Sequence, residues 1–120
     1  MLEFLKQSKA ERIAFFGLAD QVFSTSLGDG LKAALGEKLV ADRRFALAED
    51  KLNPDHVKLA SEEVKQLNPD MLVVSVGSSR TAEVMKLLTE ASAAPPLFLT
   101  GRIDSLPPEV AKAWPNHIYQ

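Results

Sequence analysis

The tetrapeptide Gly77-Ser78-Ser79-Arg80 directly follows the apolar run MLVVSV and holds the densest chemistry in the chain. A helix beginning there presents free backbone N–H groups, two hydroxyls and a guanidinium, a set suited to holding a carboxylate or a phosphate. The same glycine and serines serve equally well as plain helix-capping residues after a buried strand. A second set, Asp20, Gln21 and Phe23, follows the first apolar run and combines a carboxylate, an amide and an aromatic ring.

Other chemistry is poorly supported. Ser78 and Ser79 lack the GxSxG elbow of serine hydrolases, and His117 falls two strands away from them in the expected sheet. His56 and His117 show neither HxxxH nor HExxH spacing, which argues against a metal site and places both on the surface. The chain has no cysteine, so thiolate nucleophiles and cysteine-based metal centres are excluded. Gly28 and Gly30 lie inside a helical pattern and match neither a dinucleotide nor a P-loop fingerprint. A phosphoacceptor receiver domain would need clustered acids after strand 1 and an aspartate ending strand 3, where this chain has Asp20 alone and Gly77. No cofactor is expected.

These residues need a frame, and 120 residues that are 46% hydrophobic and 25% charged predict one globular domain over 1–120. Fourteen Lys and Arg against sixteen Asp and Glu leave no basic excess for nucleic acid. The N-terminus MLEFLKQSKAER lacks the apolar stretch of a signal peptide, and no apolar run approaches a membrane span, so direct insertion in a membrane is not expected.

Apolar clusters alternate with helical patterns along the chain. A short helix over residues 2–8 is expected before a first strand, 13–19, whose charge-free sequence IAFFGLA suits burial on both faces. Ser24, Thr25 and Ser26 are possible caps for a helix carrying Leu27, Leu31, Ala34 and Leu35 and stopping at Gly36, with Gly28 and Gly30 weakening it. The alternation over 44–49 predicts a second strand at an edge of the sheet, and Asp42-Arg43-Arg44 then reads as a charged, solvated flank. Asn53-Pro54-Asp55 starts a helix and Asn68-Pro69-Asp70 ends it. Strands over 71–76 and 97–99 follow, separated by a helix after Ser79, and a last helix over 107–113, capped near Asp104 or Ser105, precedes a terminal strand at 117–119. Trp114 is expected to anchor this C-terminal segment. The pattern predicts an α/β/α three-layer sandwich with a five-stranded parallel sheet in flavodoxin-like order 2-1-3-4-5. Ligands in such sheets bind at the strand carboxyl ends where the order reverses, which brings Asp20, Gln21 and Phe23 beside Gly77, Ser78, Ser79 and Arg80.

Laid out this way, the chain resembles one lobe of the type I periplasmic binding proteins, specifically the second lobe of branched-chain amino-acid binding proteins. The resemblance spans LKQSKAERIAFFG with Asp20 and Phe23 behind it, Leu67-Asn68-Pro69-Asp70 leading into MLVVSVG, and PPLFLTGRIDS with a closing IYQ. It implies a non-enzymatic lobe recognising an amino acid or other small carboxylate. Its parent would be a solute-binding protein of amino-acid transport through an ABC transporter, or a sensory protein. Ligand contacts would come from Asp20, Phe23, Ser78 and Ser79, joined by Arg80 from the anion-binding argument. One lobe shows half a cleft to water, so weak binding alone is expected, with a missing partner lobe or a second copy as a homodimer completing it. The alternative is a degenerate lobe that acts as a structural or dimerisation domain. A secreted parent implies a periplasmic or extracytoplasmic location, and a complete protein of this length implies the cytoplasm.

Overall fold

The first apolar run forms β1 (Ile13–Leu18), buried along its whole length because it pairs with a parallel strand on each side and is covered on both faces. The computed structural model describes residues 11–100 and 106–119, so the helix expected over 2–8 and the capping expected of Asp104 or Ser105 lie outside the described residues. The chain continues through α1 (Val22–Leu35), a 3-10 turn (Gly36–Lys38), β2 (Leu39–Phe45), α2 (Pro54–Leu67), β3 (Met71–Ser75), α3 (Ser78–Glu90), β4 (Leu97–Leu99), α4 (Pro108–Ala113) and β5 (Ile118–Tyr119). All pairings are parallel and the strand order is β2-β1-β3-β4-β5, as the alternation of elements predicted.

Strand periodicity divides the core between the two faces. Ala14, Phe16 and Leu18 of β1, with Leu72 and Val74 of β3, point toward α2 and α3, and Leu106 and Trp114 join this larger cluster. Ile13 and Phe15, with Met71 and Val73, point the other way, against Leu31 of α1. Trp114 is the expected anchor: it is 6% exposed and its indole N–H donates to the Pro95 carbonyl at 3.2 Å. Among the described residues, no helix is long and apolar enough to cross a membrane.

β2 departs from the expectation of a strand over 44–49. Leu39, Val40 and Ala41 start it, with Ile13 opposite Leu39 and Ala14 opposite Ala41 across an irregularity in register. The run Asp42-Arg43-Arg44 lies inside the strand, where an edge position lets alternate charges find partners on opposite faces. Arg43 pairs with Glu63 of α2, while Arg44, on the other face, reaches Asp42 at 3.0 Å and Asp29 of α1 at 2.9 Å. Hydrogen bonds to Asp42 and then Asp29 raise the Arg44 pKa above its ordinary value, so the cation persists at any pH below that. Residues beyond Phe45 turn instead of extending: Ala48 and Lys51 bridge each other, with Glu49 and Asp50 between them at φ of 53° and 62°.

The two Asn-Pro-Asp copies act as their positions require. Asn53 caps α2 by accepting from the Asp55 N–H at 3.0 Å. Asn68 ends the same helix in the left-handed region, φ 47°. Asp70 then accepts from the backbone N–H groups of Glu11 and Arg12 at 2.9 and 3.1 Å, and Arg12 donates to the Leu67 carbonyl at 2.7 Å. The end of α2 is thereby tied to the entry of β1.

α1 begins at Val22, earlier than Ser24, Thr25 and Ser26 suggested, and its N-cap Gln21 makes no side-chain capping bond. Its two glycines have opposite roles. A Cβ on Gly28 would stand 2.8 Å from the Phe15 ring and 2.8 Å from an Arg44 guanidinium nitrogen, so the absent side chain is what lets α1 approach the sheet. A Cβ on Gly30 would meet nothing within 4 Å. Gly30→Ala is therefore expected to raise stability by about 0.5–1 kcal/mol, and Gly28→Ala to lower it. Urea midpoints measured with unchanged m-values check both signs.

Candidate functional site

In a parallel sheet all carboxyl ends lie on one side, and the order reverses between β1 and β3, whose crossovers leave toward opposite faces. A crevice of about 260 Å³ opens there. Its floor is Leu18, Ser24 and Ser75, and its walls are Gln21 and Phe23 from α1, Gly77 and Arg80 from the start of α3, and Thr100 after β4.

The floor is polar because Ser75 interrupts an otherwise apolar buried strand. The Ser24 hydroxyl donates to the Ser75 carbonyl at 2.6 Å, and its oxygen lies 3.1 Å from Ser75 Oγ. Since Ser24 has one proton and gives it to the carbonyl, Ser75 is the donor in the second contact. Among the described residues, neither hydroxyl is paired with a base, and no histidine or carboxylate lines the crevice. Ser24, Ser75 and Thr100 were not among the site residues expected from the sequence. The lone serine in MLVVSV was the available signal, a polar group in a strand that is otherwise core.

Of the five expected ligand residues, the structure brings Phe23 and Arg80 to the crevice. Phe23 is 67% exposed and its neighbour Val22 is 82% exposed, so the rim carries bare apolar surface. Asp20 stands exposed in the turn after β1 and does not line the cavity. Ser78 and Ser79 form the first turn of α3, and their side chains lie outside the described residues.

Arg80 is more engaged than a free anion-binding cation would be. Its Nε and Nη2 donate to the Asp50 carbonyl at 3.2 and 3.1 Å, and Nη1 to the Val76 carbonyl at 3.3 Å. These bonds pin the turn after β2 to the start of α3. They use three of five N–H groups and, among the described residues, bring no carboxylate to the guanidinium, so the positive charge stays uncompensated at the crevice wall. α3 adds to it, because the positive end of its dipole faces the crevice and Gly77 caps it without a side-chain acceptor.

Solved structures share this arrangement of strands and helices. An extracellular ligand-binding receptor from Rhodopseudomonas palustris aligns with a TM-score of 0.66 at 21% identity, over 82% of this chain and 26% of the receptor. A leucine-binding protein from Thermotoga maritima aligns with a TM-score of 0.55 at 14% identity, over 90% of this chain and 29% of that one. A maleylacetate reductase from Agrobacterium tumefaciens aligns with a TM-score of 0.54 at 19% identity, over 82% and 27% of the two chains. The chain thus spans between 26% and 29% of the length of these structures. No protein-family model and no curated protein matches it. The likeness to ligand-binding proteins and to a reductase alike is in the parallel α/β fold, and identities this low establish the fold alone.

Gly77 fixes the geometry of this wall. Its φ of 86° and ψ of 148° fall in a region open essentially to glycine, and a Cβ there would stand 3.1 Å from Arg80 Nη1. Gly77→Ala is expected to cost about 1–3 kcal/mol in chemical denaturation.

Proposed function

We propose that this chain is a non-enzymatic recognition lobe of the binding-protein type, with the crevice between β1 and β3 forming one wall of a site for an amino acid or other small carboxylate. The observation that carries the proposal is the charge of Arg80, met by no carboxylate among the described residues, beside the glycine-capped start of α3, at the strand-end position where such sheets bind ligands. Phe23 supplies an apolar surface for the body of the ligand, and Gln21 and Thr100 supply polar groups at its edges. Among the described residues no base stands beside Ser24 and Ser75, which favours binding over turnover.

The proposal includes a second wall. A cavity of about 260 Å³ open on one side buries too little of a ligand to hold it tightly, and Val22 and Phe23 suit contact with an opposing lobe. The chain then corresponds to the second lobe of a longer transport or sensory protein, working outside the cytoplasm. The likeness to a ligand-binding receptor and to a leucine-binding protein supports this reading.

A second reading rests on the commitment of Arg80 to Asp50 and Val76: a lobe that keeps the fold without the ligand and pairs through its exposed Val22 and Phe23.

Amide NMR titration separates the two. Glycine, leucine, succinate and glucose are added to the labelled chain. Carboxylate binding is expected to move the amides of Gly77, Arg80 and Thr81 with a Kd on the order of millimolar, weakened about tenfold in Arg80→Gln. Absence of any crevice shift, together with a concentration-dependent dimer in sedimentation, supports the second reading and defeats the first.

A further inference from the structure

An apolar groove lies away from the strand ends, between α3 and α4, with a volume of about 530 Å³. It exists because α4 has six residues and α3 has thirteen, so the short helix leaves one flank of its neighbour open. Met85 and Trp114 form its base, only 1% and 6% exposed, and the small side chains of Ala82 and Ala113 keep the walls low.

The rim is charged with one dominant sign. Glu83 and Glu90 on α3 and Glu109 on α4 face Lys86 alone. Among the described residues, none of these four makes an ion pair within 4 Å, although Lys86 lies three and four positions from the two glutamates on its own helix. An acidic rim around an apolar trough complements an occupant with apolar anchors flanked by cations.

We propose that this groove docks a basic amphipathic helical segment of a partner protein. The lining positions of α3 run from Ala82 to Glu90, about 12 Å of helix at about 1.5 Å per residue, which accommodates two apolar anchors spaced three or four residues apart. The anchors lie over Met85 and Trp114, and the partner's lysines or arginines meet Glu83, Glu90 and Glu109. An anionic lipid surface is disfavoured by the same carboxylates. The groove is separate from the strand-end crevice, so the two proposals stand or fall independently.

Trp114 is the single tryptophan of the chain and reports directly on the groove. The probes are a Leu/Lys amphipathic peptide of about 14 residues without tryptophan and its Leu/Glu counterpart. The Leu/Lys peptide is expected to shift Trp114 emission saturably to shorter wavelength, and the Leu/Glu peptide to leave it unchanged. Reversing two exposed rim charges, in Glu90→Lys with Glu109→Lys, is expected to weaken binding about tenfold, and Lys86→Glu to tighten it. Equal response to both peptides, no response to either, or unchanged affinity in the reversal variant overturns the proposal. A dimer in sedimentation equilibrium that shields Trp114 also overturns it, by assigning the groove to a second copy.

Discussion

The Phe15 ring sets the distance between the sheet and its neighbour α1. It lies where side chains on Gly17 and Gly28 would otherwise project, within 2.5 and 2.8 Å of their hypothetical Cβ positions. Two glycines on separate elements thus make room for one aromatic ring, and burying that ring contributes about 1.5–3 kcal/mol. The spacing has consequences at the far end of the helix. Only with α1 this close does Ser24 reach the Ser75 carbonyl, and only then do Val22 and Phe23 stand at the rim of the crevice. The polar floor of the site depends on an apolar contact several residues away.

Charge is handled differently on the two sides of the crevice. On the β2 side, Arg44 has Asp42 and Asp29 as partners and is only partly exposed, so its charge is spent on joining strand to helix. On the β3 side, Arg80 is held by carbonyl groups, which orient a guanidinium without neutralising it. A cation fixed in place and left charged is what recognition of a carboxylate requires. The same hydrogen bonds anchor a turn in which Glu49 and Asp50 both adopt positive φ, a conformation unfavourable for these residues unless the surroundings hold it.

Sequence patterns disclosed the parallel order, the central place of β1 and β3, and the caps of α2, because each rests on strong local signals: unbroken apolar runs, a proline at a helix start, an asparagine before a proline. β2 was misplaced. The weak alternation after Arg44 imitates a strand, while the true strand carries three charges whose partners, Glu63 and Asp29, lie on other elements and leave no local trace. At the site, the crevice position and the roles of Phe23 and Arg80 in lining it followed from topology. Asp20 did not, since its turn points it to solvent. Ser24 looked like a cap because hydroxyls near a helix start usually are, and only the approach of β3 gives it a better acceptor.

The tie between Asp70 and the backbone of Glu11 and Arg12 spans nearly half the chain. β1 needs β2 on one side and β3 on the other, and its entry is clamped by a residue that is made after both α1 and α2. During synthesis, the segment IAFFGL therefore emerges before β2 and β3 and has no complete set of neighbours until the chain has been extended through β3. An unpaired strand of six buried residues, two of them phenylalanines, is sticky for that whole interval. The bond that secures the finished sheet thus forms only once the chain has grown 59 residues past Glu11, and until then β1 is open to association with other apolar surfaces.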